Sequence, residues 1–328
     1  MLIDDVSGGR EVLRAAAVCY TDEGEKNALR AGGLDVFRYG RDFDRTGRLM
    51  ERFFGGMKDS GEGYAVIVFF SAAGIAVRSI APYIVNKTAD PAVIVVNDRA
   101  DFVIPVLSGH IGRANDASRE LASVLGAEAV VTTASDSAEN TEAADVFASR
   151  EGYSIDSMED AKKVTAALVA GEKTEKSREP DGTLVWRVQG KSGASVRMKP
   201  KRYVLGLGCR KGTSAQAMTD FVKENLAAMG AVPGDVYKVC SAEIKAGEKC
   251  MSAAASAAGA PFVVFTAEHL NGIPGVFSDS EFVKKVAGTG NVCERSAIAG
   301  CGSAGGRIIV KKTARDGMTF AAAERNLL

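Results

Sequence analysis

D-P-A-V-I-V-V-N-D-R-A-D-F-V-I-P-V-L-S-G-H-I-G-R-A-N, residues 90–115, is the stretch that decides the fold. Two short apolar runs, 92–96 and 102–107, are rich in β-branched residues and flank the polar turn 97–101, which predicts adjacent strands. The second run ends at Ser108-Gly109-His110, ahead of a helix that opens near Gly112 or Ala114. A hydroxyl, bare backbone N–H groups and one of the chain's two histidines are thereby set at a strand's carboxyl end. In open α/β sheets ligands bind at such ends, because helix N-termini converge there.

Working outward, residues 64–70, Y-A-V-I-V-F-F, are continuously apolar, as a central parallel strand covered on both faces must be. The small residues of S-A-A-G-I-A-V-R, 71–78, turn directly into a helix, and Ser71 and Gly74 leave room for a ligand at the backbone. Upstream, 15–20 and 35–39 read as strands and 23–30 and 48–57 as helices, the second with Leu49, Phe53 and Phe54 facing a core. Downstream, 115–125 is an amphipathic helix with Ala117, Leu121, Val124 and Leu125 inward and Gly126 as its cap. A strand at 129–133 places Thr132 and Thr133 at a third polar strand end. This alternation predicts a doubly wound α/β domain over residues 1–137.

Residues 138–201 form a small middle domain or connector. Two helices, 141–150 and 158–170, precede a stretch, 173–202, with nine basic residues against three acidic ones and the alternation of a hairpin at 184–189 and 195–198. It reads as a solvated charged face or as a basic wall for a polyanion. A second α/β domain, 202–328, opens with Y-V-L-G-L-G-C-R-K-G-T-S: strand, glycine turn, and a helix from Thr213. Arg210 and Lys211 beside the glycines suit an anion, although neither the dinucleotide fingerprint nor the Walker pattern is present. S-A-E-I-K-A-G-E, 241–248, follows another strand and brings Ser241, Glu243 and Lys245 to its end; further strand, helix and turn lead to Gly288-Thr289-Gly290 and a terminal hairpin. The fold class is therefore α/β, two α/β domains with mostly parallel sheets around a variable middle piece.

Composition narrows the function. Lys and Arg total 41, as do Asp and Glu, so no broad field draws the chain to nucleic acid or to a membrane surface. The uncharged runs are too short or too broken to span a bilayer, and charges interrupt any leader pattern at the start. Six scattered cysteines without a C-x-x-C pair indicate neither a disulfide framework nor a structural zinc site. The expectation is a cytoplasmic protein with reduced thiols and no metal of its own.

Several of these stretches together resemble the cobalt-precorrin-5A hydrolases of anaerobic cobalamin biosynthesis. The likeness rests on G-I-A-V-R (74–78), D-P-A-V-I-V-V (90–96), L-S-G-H (107–110), G-L-G-C-R-K-G-T (206–213), S-A-E-I-K-A-G-E (241–248) and G-T-G (288–290). Arg113 stands where the family carries a second glycine. The resemblance implies a cobalt-containing tetrapyrrole as substrate, no cofactor beyond the cobalt the substrate carries, and neighbouring cobalamin-pathway enzymes as partners. It implies opening of a δ-lactone and release of acetaldehyde.

That chemistry needs an activated water, a stabilised oxyanion and proton management. His110, which titrates near neutrality, is the candidate base, with Glu243 as a second acid or base. Ser71, Gly74, Arg78, Ser108, Gly109, Thr132, Thr133, Arg210, Lys211, Thr213, Ser241, Lys245, Gly288, Thr289 and Gly290 are the candidate substrate-binding residues. The blander readings are that the hydroxyls cap helices, that Glu243 and Lys245 pair with each other, and that Cys209 and His269 are structural. A non-catalytic tetrapyrrole carrier and an unrelated hydrolase of a small anion are the alternative functions.

Overall fold

The computed structural model describes residues 1–5, 7–59, 63–86, 90–109, 112–132, 142–190 and 193–327. His110 and Thr133 lie outside them. The chain divides into two compact units, Met1–Ile3 with Leu13–Thr141, and Asp4–Val12 with Glu142–Leu328. The elements run β1 (Leu2–Asp4), β2 (Arg10–Val12), β3 (Ala15–Cys19), α1 (Asp22–Ala31), β4 (Asp35–Arg38), α2 (Thr46–Asp59), β5 (Val66–Phe70), α3 (Ala73–Ile80), β6 (Ala92–Val96), β7 (Phe102–Leu107), α4 (Ala114–Leu125) and β8 (Glu128–Ala129).

The first unit's sheet has the order β4-β3-β5-β6-β7-β8. Strands β4, β3, β5 and β6 are parallel, β7 is antiparallel to β6, and β8 is parallel to β7. Because side chains alternate along a strand, the buried runs feed two cores. Ala15, Ala17, Val66, Val68, Ile94 and Val96 pack with Ala28 of α1 and with Ala117 and Leu121 of α4. Ala16, Val18, Ile67, Phe69, Val93 and Val95 pack with Leu49, Met50 and Phe53 of α2 and Ala76 and Ile80 of α3. Helices thus cover both faces, the doubly wound arrangement. Val124, expected inward, is 50% exposed, and the strand expected at 129–133 shortens to the two residues of β8.

The second unit continues with α5 (Ala144–Glu151), β9 (Tyr153–Ile155), α6 (Met158–Val169), β10 (Thr174–Arg178), β11 (Leu184–Val188), β12 (Ser195–Pro200), β13 (Tyr203–Gly208), α7 (Ala215–Ala228), β14 (Val236–Ala242), α8 (Lys249–Ala257), β15 (Phe262–Phe265), α9 (Ala267–Gly272), α10 (Glu281–Ala287), α11 (Val292–Gly300), β16 (Gly306–Arg315) and β17 (Met318–Arg325). Its large sheet runs β1-β2-β15-β14-β13-β17-β16, with β13, β14 and β15 parallel, β2 and β17 reversed and β16 antiparallel to β17, so the sheet is mixed. The middle segment folds as a separate antiparallel sheet, β10-β11-β12-β9, over its own core of Ala148, Val164, Trp186 and Met198. It is stitched to the large sheet within the same unit: Tyr237 donates its hydroxyl to Arg150 O at 3.0 Å, and Arg325 Nη1 donates to Glu151 O at 3.1 Å. Its basic stretch is largely partnered internally, Arg197 on Glu179 and Lys176 over the Phe147 and Trp186 rings, which favours the solvated-face reading over a basic wall.

Gly206 of β13 lies under α11 so closely that an added Cβ would stand 1.8 Å from Cys293 O. The glycine in the G-L-G-C motif therefore serves helix packing rather than a ligand. Helix α7 covers the other face, where Phe221 meets Phe320 edge-on. Beside β2, the buried Lys238 and Asp5 form an ion pair at 2.5 Å. Burial pushes the Asp5 carboxyl upward, but Lys238 and the Ser7 hydrogen bonds outweigh it and hold the group below its ordinary value.

Gly206→Ala should cost about 3 kcal/mol in urea unfolding, while Gly247→Ala, whose Cβ meets open space, should cost little. A depressed carboxyl pKa contributes stability above the unfolded value, near 4, that is lost as pH falls through the folded value. Asp5→Asn, which strands a buried ammonium, should cost about 3–5 kcal/mol at pH 7, and the gap from wild type should shrink in titrations taken below pH ~4.

Candidate functional site

The direction of β7 sorts the first unit's candidates into two groups. Leu107 pairs with Val93 and Val103 with Val96, so β7 ends where β6 begins. Ser108 and Gly109 accordingly lie at the amino edge of the parallel strands, beside Asp90. Thr132 follows β8, which runs with β7 and pairs with its first two residues. Ser71, Gly74 and Arg78 follow β5 at the opposite, carboxyl edge, where Ser71 N donates to Val96 O at 3.0 Å. The two groups are separated by about five residues of strand, roughly 16 Å. The sequence reads them as similar strand ends, and the reversal of β7 puts them on opposite edges of the sheet.

At the amino edge the loop before α4 is tightly built. Ser108 is buried and left-handed at φ 57°, and its hydroxyl donates to Asp90 O at 3.1 Å. Arg113 is also left-handed at φ 65°, a conformation that costs a non-glycine residue about 1–2 kcal/mol. The family's glycine at this position thus matches the backbone found here, and the Arg113 guanidinium is drawn to Asp116, Nε to Oδ2 at 2.8 Å, rather than offered to a ligand. A Cβ on Gly112 would meet the Ser108 carbonyl oxygen at 2.8 Å, so that glycine is sterically required, while one on Gly109 would meet only the Asn115 side chain, at 2.9 Å.

The carboxyl edge carries a feature with no signal in the sequence beyond isolated aromatics. Tyr20, Tyr39 and Phe43 form a cluster with centroids 5.6–5.9 Å apart, Tyr39 being 49% exposed. Arg78 curls back, donating Nη1 to Gly74 O at 3.0 Å.

In the second unit the candidates do converge. β13, β14 and β15 are parallel, so Arg210, Lys211, Glu243, Lys245 and Glu248 all follow carboxyl ends at one edge. Arg210 N donates to Gly317 O at 3.1 Å, and Thr213 donates its hydroxyl to Arg210 O at 2.8 Å, closing the turn. Arg210 and Lys211 are exposed and form no ion pair among the described residues. Lys245 pairs with Glu248, at 3.9 Å, and not with Glu243, which is left exposed. Ser241 is fully buried and donates to Leu207 O at 2.8 Å, a structural position. Gly288 caps α10 with its N–H on Lys284 O, and Thr289 is fully buried, so the G-T-G turn does not present a row of free donors. His269 stacks on Phe265 at 5.0 Å, which supports the structural reading.

The thiols divide sharply. Burial pushes Cys19 up to about 12 and Cys293 and Cys301 to about 11. Cys209 alone moves down: the Cys250 thiol donates to its sulfur at 3.6 Å, and Lys245 assists against the opposing effect of burial.

The family model described as "Cobalamin synthesis G N-terminal" matches residues 57–136, and "Cobalamin synthesis G C-terminus" matches 203–323. A cobalt-precorrin-5A hydrolase of Salmonella typhimurium is 32% identical over 260 residues, 70% of this chain and 74% of that protein. The chain belongs to the cobalt-precorrin-5A hydrolase family. The Priestia megaterium hydrolase is 29% identical over 77% of each chain, and Protein CobE of a Sinorhizobium is 31% identical over 114 residues, 34% of this chain and 74% of that protein. Among the described residues no helix is long and apolar enough to cross a membrane.

Strain at Arg113 yields a direct check. Arg113→Gly should leave thermal stability within about 1 kcal/mol of wild type, because relief of the left-handed strain offsets the lost Asp116 pair. Arg113→Val, β-branched and unable to relax there, should lower it by more than about 1 kcal/mol.

Proposed function

We propose that the chain opens the δ-lactone of cobalt-precorrin-5A and releases acetaldehyde, giving cobalt-precorrin-5B. The observation that carries this reading is the match of both terminal segments, in order, to the family models and to the hydrolases of that name. Water adds to the lactone carbonyl and the ring C–O bond breaks, leaving a carboxylate and a free hydroxyl. Loss of the hydroxyl proton then drives carbon–carbon cleavage, acetaldehyde departs, and the ring carbon takes up a proton. The sum consumes one water.

The reacting edge in this reading is that of Ser108 and Gly109. Two left-handed, non-glycine residues bracket the loop, and such strain collects at functional sites. His110 lies between them in sequence and acts as the base that activates water and later moves the proton. Arg210 and Lys211, exposed at the carboxyl edge of β13 without ionic partners, bind substrate carboxylates, with Thr213 fixing their turn. Ser71, Gly74 and Arg78, on the far edge of the first sheet, cannot touch the same reacting atom; beside the Tyr20, Tyr39 and Phe43 cluster they suit a distant part of a large planar ligand. The six thiols, all free, fit a reducing compartment such as the cytoplasm.

Incubation with the lactone while trapping acetaldehyde tests the activity; binding without acetaldehyde would move the chain to the carrier reading. His110→Ala should cut release by about two to four orders of magnitude with little change in binding. Near-normal turnover at neutral pH would pass the role to Glu243. Arg210→Ala or Lys211→Ala should weaken binding roughly five- to hundredfold in a visible-absorbance titration.

A further inference from the structure

The carboxyl edge of β13 and β14 gathers soft donors that the lactone reading leaves unused. Cys209 follows β13, Glu248 is the N-cap of α8, and Cys250 lies in that helix's first turn. One donor atom from each falls within 4.8 Å of the others, the single such grouping of three among the described residues. We propose that Cys209, Glu248 and Cys250 bind a thiophilic divalent cation, zinc by the chemistry of the donors.

The spacing argues for this. Two sulfurs on one tetrahedral zinc, each about 2.3 Å from it, stand roughly 3.7 Å apart; the Cys209 and Cys250 sulfurs are 3.6 Å apart. A thiol pair alone would fit a disulfide after a small shift, but a carboxylate has no part in one, whereas it is an ordinary third zinc ligand. Cys250 is buried and Cys209 and Glu248 are half-buried, so the site is walled by protein on one side and reachable on the other. Charge also balances. Two thiolates and a carboxylate exceed a divalent cation by one negative charge, and Lys245, 3.9 Å from Glu248, supplies the compensating positive one. The ligands come from segments 41 residues apart in sequence, so the C-x-x-C test that excludes zinc from sequence does not see them. Bound there, the ion ties the 209–213 turn to α8, and three protein ligands leave the fourth position to water.

The test uses full-length protein, reduced and stripped with a chelator, then titrated with Zn²⁺ against a chromophoric chelator and separately with aqueous Co²⁺. One Zn²⁺ per chain should bind, and Co²⁺ should give a thiolate-to-metal charge-transfer band. Cys209→Ser and Cys250→Ser should each weaken Zn²⁺ binding by more than about a hundredfold and Glu248→Gln by about tenfold, ligand losses exceeding those of outer groups. Alkylation with mass-spectrometric readout requires no variant: Zn²⁺ should protect Cys209 and Cys250 in the wild type. Unchanged alkylation, a Co²⁺ spectrum without the band, or wild-type zinc affinity in the double cysteine variant would overturn the proposal. So would a Cys209–Cys250 disulfide that survives reduction and excludes the ion. None of these readouts depends on lactone turnover.

Discussion

Five residues, 97–101, set the direction of β7 and with it the edge that Ser108 and Gly109 occupy. Asn97 accepts hydrogen bonds from the backbone of Asp101 and Phe102, both at 2.9 Å, and donates to the Asp101 carboxylate at 3.0 Å. A turn this short can only reverse the chain, since a parallel connection needs a crossover of a dozen residues or more. β7 therefore runs against β6, and Ser108 and Gly109 are delivered to the edge where β6 starts. The loop's two left-handed residues, the sterically required Gly112 and the Ser108–Asp90 bond follow from fitting a helix onto that reversed strand.

The second unit meets no such reversal among β13, β14 and β15, so three strand ends open on one edge. Cations, carboxylates and two adjoining thiols collect there. Their supports are largely invisible from that edge: Gly206 lets α11 approach β13, and Gly300 lies against Cys240 and Val204. Glu294, at the start of α11, accepts from Ser278 N, Asn291 Nδ2 and Lys312 N. Burial pushes the carboxyl upward, but the Lys312 and Ser278 bonds outweigh it and hold the group below its usual range.

Much of this was legible in the sequence. The apolar runs at 64–70, 92–96 and 102–107 are the strands β5 to β7 within a residue or two, and the glycine turn after 203–208 opens onto a helix capped by Ser214. The sheet edge of Ser108 was misjudged although its signal was present, in the brevity of 97–101. Other features carried no signal. Residues 292–300 bury Ser296, Ala297 and Gly300, side chains too small to mark a helical stripe, so α11 was not anticipated. β1 and β2 are three residues each and interrupted by charge, and their place beside β15 is a tertiary fact. Likewise the partner of Lys245 is chosen by a 3₁₀ turn, Glu243–Lys245, that leaves Glu243 facing away and brings up Glu248.

We propose that substrate meets the first unit at the edge to which β7 delivers Ser108 and Gly109. Hydrogen exchange in the His110→Ala variant, with and without the lactone, tests it directly, because backbone protection reports the edge covered whatever the residues' roles. Protection across 107–115 is the predicted result. Protection across 71–78 with 107–115 unchanged would contradict it.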